Sequence, residues 1–136
     1  MKILILCTGN SIRSQMAEGF FRKFKKDWEI KSAGTNPGGI NPDAVKVMSE
    51  IGIDISGHKS KNVMQFTSIV FDYVITVCDH AKDVCPVFPG KVKFMHWSIE
   101  DPAAVWGEDE RLIFFRKVRD EIRGKILDFL SHINGD

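Results

Sequence analysis

The sequence predicts a single α/β domain built on a parallel sheet with helices on both faces, and three observations point there. Short apolar, β-prone runs alternate along the chain with segments of helical periodicity, the pattern of βαβ units. The run Phe71-Asp72-Tyr73-Val74-Ile75-Thr76-Val77 is nearly continuously apolar, as a strand covered on both faces requires. The 136 residues suffice for one core without staples, and nothing in them suggests a second domain, so residues 1–136 are read as one unit.

The elements follow in order. Met1 to Leu6 is a short apolar strand, and Gln15-Met16-Ala17-Glu18-Gly19-Phe20-Phe21 begins a helix. Trp28 to Gly34 alternates weakly and ends in Thr35-Asn36-Pro37-Gly38-Gly39, which marks a second strand and a loop. Asn41 is placed to cap a helix with Pro42 at its first position. Ala44, Val45, Met48 and Ile51 form the apolar stripe of that helix, and Gly52 stops it. Residues 53–61 are polar and turn-rich, and Val63 to Phe66 forms a brief helical stretch. Phe71 to Val77 and Lys91 to Trp97 are two further strands, and Glu108 to His132 is a long helix with Leu112, Phe115, Val118, Ile122, Ile126, Phe129 and Leu130 on its core face.

Between the first strand and first helix lies Cys7-Thr8-Gly9-Asn10-Ser11-Ile12-Arg13-Ser14, a cysteine and an arginine separated by five residues. Backbone N–H groups of a loop opening a helix have no intrahelical partner and lie at the positive end of its dipole, so they converge on a tetrahedral oxyanion. Thr8 to Ser14 are the expected oxyanion-binding residues, and Arg13 adds a planar fork of donors. The same electropositive cup favours an anionic sulfur, with Ser11 or Ser14 donating to it, which marks Cys7 as a nucleophile. Cys78 and Asp101 also follow strands, on the carboxyl edge where sites of parallel sheets gather.

The formal net charge of +1, with both signs mixed throughout, gives no footprint for nucleic acid. No apolar stretch approaches the ~20 residues that span a bilayer, and the first run is too short for a signal peptide, so a cytoplasmic protein without membrane association is expected. Three cysteines, an odd number, argue for reactive use over a fixed disulfide framework. Cys78 and Cys85 are separated by six residues, beyond the usual ~2 to 4 of a zinc pair, and no metal is expected. His58 has no partner at zinc spacing and reads as a hydrogen-bonded packing residue before a catalytic one.

The run Cys7 to Gly19 resembles the loop and first helix of thioredoxin-coupled arsenate reductases. The match continues through Val77-Cys78, Cys85-Pro86, His96-Trp97, Asp101-Pro102-Ala103 and Val118-Arg119-Asp120-Glu121-Ile122, and so covers nearly the whole chain. The resemblance implies the low-molecular-weight tyrosine phosphatase fold with a four-stranded parallel sheet. It also implies a catalytic set of Cys7, Arg13, Cys78, Cys85 and Asp101, in which Asp101 is a general acid and Cys78 and Cys85 resolve the Cys7 intermediate. Arsenate is then the substrate and thioredoxin the source of reducing equivalents, with no tightly bound cofactor and a monomeric protein. Ile12 stands where relatives often have a cysteine outside the relay. Some relatives place potassium near the positions of Asn10, Glu18 and Ser32, with ligands from a later loop; here that loop carries Lys59 and Lys61, so an ammonium group is expected instead.

If the segment between Cys78 and Cys85 is helical when reduced, its two cysteines lie about 10 Å apart along the axis, beyond the roughly 4.4 to 6.8 Å between Cα atoms of a disulfide. Pairing then demands local unfolding. Two other readings stand beside the reductase. One is a tyrosine phosphatase using Cys7, Arg13 and Asp101, although such phosphatases commonly carry an aromatic residue after Asp-Pro where this chain has Ala103. The other is a non-catalytic oxyanion-binding module or phosphocarrier, which needs no relay.

Overall fold

Strand β1 (Lys2–Cys7) is buried from Ile3 onward. Successive side chains of a strand point to opposite sides, so burial of Ile3 and Ile5 together with Leu4 and Leu6 means that both faces of the sheet are covered. The computed structural model describes residues 1–134; the last two residues of the expected domain lie outside them. After β1 come α1 (Arg13–Phe24), β2 (Glu29–Gly34), α2 (Pro42–Ser49), β3 (Tyr73–Thr76), α3 (Asp79–Asp83), β4 (Lys93–His96) and α4 (Glu108–Asn134). The four strands form one sheet in the order β2-β1-β3-β4, and every pair is parallel. The expected α/β class and four-stranded parallel sheet are both present.

Strands β2, β3 and β4 are shorter than the runs that predict them, because packing as well as pairing uses apolar residues. Phe71, just before β3, stands edge-on to Phe66 and Phe88, with ring centroids 6.4 and 6.0 Å away. Trp28, just before β2, belongs to a turn, its N–H donating to the Lys25 carbonyl at 3.1 Å. Asn41 caps α2 as its sequence implies, Oδ1 accepting from the N–H groups of Asp43 and Ala44 at 2.8 and 3.2 Å. Val63–Phe66 is a single 3-10 turn capped by Asn62.

Helix α4 packs against α1 and α2. Arg119 donates at 2.9 Å to the Val47 carbonyl, one of the acceptors left open at the end of α2, and at 3.0 Å to Glu50, which Arg116 also holds at 2.8 Å. The chain steps from β1 outward to β2 and then returns to the other side of β1 for β3. The crevice at the carboxyl ends of β1 and β3 is therefore the topological switch point, and Cys7 ends β1 at that edge. Among the described residues no helix is long and apolar enough to cross a membrane.

Candidate active site

The loop after β1 owes its shape to where its carbonyl groups go. The segment after β2 supplies N–H donors to four of them: Thr35 to Cys7 at 3.3 Å, Asn36 to Thr8 at 2.9 Å, Gly38 to Gly9 at 2.9 Å and Asn41 to Ser11 at 3.1 Å. The Ser60 hydroxyl lies 2.9 and 3.0 Å from the Gly9 and Asn10 carbonyls, and the Gln15 amide donates to Asn10 at 3.2 Å. With its acceptors drawn outward, the loop is left with donors for the cleft. Gly34 makes this approach possible, since a Cβ there would run into the Thr8 carbonyl and lie 2.9 Å from the Asn10 nitrogen.

Beneath the loop a buried hydrogen-bond chain reaches Cys7. Asn10 is held in the left-handed region at φ 47°, unusual for a residue with a side chain. Its Oδ1 accepts from the Lys61 N–H at 2.8 Å, while its Nδ2 donates to Ser32 at 2.9 Å and to Ser14 at 2.8 Å. The Ser32 hydroxyl donates in turn to Glu18 at 2.6 Å. Each proton upstream is thereby committed, and the Ser14 hydroxyl is free to donate to the Cys7 sulfur, 2.8 Å away. The Asn10 N–H adds a second donor to that sulfur at 3.1 Å.

Cys7, Thr8, Gly9, Ser11, Ile12, Arg13 and Asp101 line one cleft of about 210 Å³. Asn10 and Ser14, also expected to bind the anion, turn their buried side chains into the network below. Arg13 is aimed by a 2.9 Å hydrogen bond from Nη1 to the Ile99 carbonyl beyond β4. Asp101 is exposed at the head of a short 3-10 turn, where its carboxylate accepts from the Ala103 N–H at 2.9 Å. All three cysteines are free. The Cys78 sulfur lies 3.3 Å from the Thr8 hydroxyl, at the rim of the loop. Cys85 lies apart, past α3, in a second cavity of about 290 Å³ with Thr76, Lys82, Phe94, Met95 and His96. Burial pushes its thiol pKa above the ordinary value.

The model of low molecular weight phosphotyrosine protein phosphatases matches residues 2–136. The chain belongs to this family. Within it, the chain is 50% identical to an arsenate reductase of Halalkalibacterium halodurans over 129 residues, 93% of each protein. It is similar to a solved arsenate reductase in its oxidised state, with a TM-score of 0.83 at 31% identity, covering 97% of this chain and 98% of that one. A thioredoxin-dependent arsenate reductase from Corynebacterium glutamicum aligns with a TM-score of 0.73 at 31% identity, over 98% of this chain and 61% of that one.

Where the resemblance would allow a potassium ion near Asn10, Glu18 and Ser32, Lys61 stands. Its ammonium lies 3.9 Å from Glu18 and donates to the Lys59 carbonyl at 2.6 Å, so the charged oxygen ligand of such a site already faces a cation. Arg22 closes the other side of Glu18 at 2.9 Å. These residues do not fit an added potassium ion. His58 packs beside them, its Nδ1 3.0 Å from Gln15 Oε1 and 3.4 Å from Glu18, and burial lowers its pKa. Among the described residues no group of three or more His, Cys, Asp or Glu is placed to hold a metal. Gln15 and Ser60, which shape the loop, carry no local sequence signal of that role, because their partners are set by the fold.

Proposed function

We propose that this protein reduces arsenate to arsenite through Cys7, Cys78 and Cys85 and is regenerated by thioredoxin. The observation that carries the reading is the graded placement of three free cysteines: one inside the anion cup, one at its rim, and one beyond a five-residue helix. The relatives named as arsenate reductases support the substrate, and the thioredoxin-dependent relative supports the reductant.

The chemistry follows from the donors. Loop N–H groups and Arg13 hold the oxyanion while the Cys7 sulfur attacks arsenic, and Asp101 gives its proton to a departing oxygen, which leaves as water. The Cys78 thiolate then attacks the Cys7 sulfur. The electrons of the sulfur–arsenic bond pass to arsenic, which leaves as arsenite, and a Cys7–Cys78 disulfide forms. Cys85 attacks Cys78, expels the Cys7 thiolate and leaves a Cys78–Cys85 disulfide at the surface-facing end of the relay. Two electrons and two protons from the thioredoxin dithiol restore the starting state.

The cup and Asp101 also suit phosphoryl transfer, as the family's name reflects, but that reading gives Cys78 and Cys85 no work. The deciding experiment is arsenate-dependent NADPH consumption with thioredoxin and thioredoxin reductase. Turnover lost in each of Cys7→Ser, Cys78→Ser and Cys85→Ser is the expected outcome. Absent turnover in the wild type, with aryl phosphate hydrolysis that depends on Cys7 alone, would make the protein a phosphatase.

A further inference from the structure

Helix α3 has little to hold it in place. At five residues it is far below the roughly 12 to 15 at which an isolated helix becomes marginal, and Ala81 is its one buried residue. Its last turn is closed by backbone bonds from Lys82 to Cys78 at 3.3 Å and from Val84 to His80 at 3.1 Å. Among the described residues, the side-chain hydrogen bonds joining α3 to the rest of the protein are those of Asp79. Its Oδ1 accepts from His96 Nε2 at 2.9 Å and from the Ser98 hydroxyl at 3.1 Å, and these bonds hold its carboxyl below the ordinary aspartate range.

The anchor behind Asp79 is rigid. His96 ends β4 and pairs in register with Thr76, the last residue of β3; the Thr76 hydroxyl lies 2.7 Å from His96 Nδ1. The imidazole is thus gripped on both nitrogens, between a sheet end and the first residue of α3. His96 and Thr76 also line the cavity that contains Cys85. Cys78, next to Asp79 in the chain, instead points its sulfur at Thr8. To meet Cys85 the Cys78 sulfur must leave Thr8, and Asp79 is the residue that follows it in the chain.

We propose that Asp79, held by His96 and Ser98, is a latch that keeps α3 closed while Cys78 faces Cys7, and that the latch opens when Cys78 pairs with Cys85. Asp79 and His96 are positioning residues for the resolving steps, and the proposal rests on the relay described above. Because the latch exists only in the dithiol form, it favours that form over the disulfide and makes the pair a stronger oxidant.

The test uses full-length Cys7→Ser protein, which isolates the pair, equilibrated with reduced and oxidised dithiothreitol. Cys78 and Cys85 together give up two electrons and two protons as the reagent's disulfide becomes a dithiol. Asp79→Ala is expected to raise the ratio of protein disulfide to dithiol about three- to tenfold, which at about 30 mV per tenfold is a potential lower by about 15 to 30 mV. Asp79→Asn, which keeps the acceptor and loses the charge, should fall between. In a His96→Leu/Ser98→Ala background, Asp79→Ala should change nothing further. An unchanged or lowered ratio in Asp79→Ala overturns the latch. So does an equal shift in the His96→Leu/Ser98→Ala background, which would assign the effect to the end of the short helix. Failure of the Cys7→Ser parent to form the disulfide in any buffer overturns the relay itself and the latch with it.

Discussion

Ser14 is the residue on which the environment of the Cys7 sulfur turns. Its hydroxyl proton is directed at Cys7 only because Asn10, Ser32 and Glu18 use every other donor in the chain of bonds. Ser14→Ala removes that bond and leaves the Asn10 amide hydrogen without an acceptor. In the proposed reaction the sulfur attacks as an anion, and a bond to an ionised group contributes about 1.5 to 3 kcal/mol, so arsenate turnover should fall roughly ten- to hundredfold with the fold retained. Steady-state kinetics beside a circular dichroism melt checks this. His58 carries a different consequence. Its pKa lies below the ordinary 6.5, so as pH falls through that value the unfolded chain takes up the proton first. Its contribution to stability is complete above about pH 6.5 and is lost on acidification toward the folded value. The melting temperature should therefore drop as the pH falls below about 6.5, and less steeply in His58→Gln. At this scale the sequence pattern reads caps well and long-range partners badly. The cap at Asn41 serves N–H groups two and three residues on, whereas Asn10 takes its partner from Lys61, which only folding brings near.

Elements are fixed to one another by a few buried polar ties as well as by the core. Arg119 is nearly buried, satisfies the open Val47 carbonyl at the end of α2 and shares Glu50 with Arg116. Arg119→Met keeps the apolar stem and strands that carbonyl, which should cost about 2 to 3 kcal/mol in urea denaturation, with turnover little changed. The sequence marks Arg119 only as part of a motif. Its function as a clamp between α2 and α4 depends on a crossing that neither helix encodes alone. Strand ends show the same limit: Phe71 and Val77 have strand-like composition, but Phe71 is consumed by a ring cluster and Val77 lies beyond the last paired residue of β3.

Across the whole molecule, burial is uneven, and the proposed relay requires it to be. Strand β1 is buried from Ile3 to Cys7, whereas residues 79–84 are exposed apart from Ala81. Oxidation to the Cys78–Cys85 disulfide should abolish amide-exchange protection in residues 79–84 while leaving β1 and β3 protected. Hydrogen exchange of the two redox states followed by mass spectrometry measures this, and equal protection of 79–84 in both states would exclude the required unwinding.

Sequence by itself determined the alternation of strands and helices, the loop between Cys7 and Arg13 that opens the first helix, and the presence of three cysteines in place of a disulfide framework. These are local matters of periodicity, capping and spacing, which short-range sterics and hydrogen bonding decide. Only the tertiary structure decided that Asn10 is held by Lys61, that Lys61 stands against Glu18, that Gly34 gives the loop room, and that Asp79 is gripped from the end of β4. Each of these joins residues far apart in the chain, and a partnership of that kind exists only once burial of both sheet faces has set the register that brings them together.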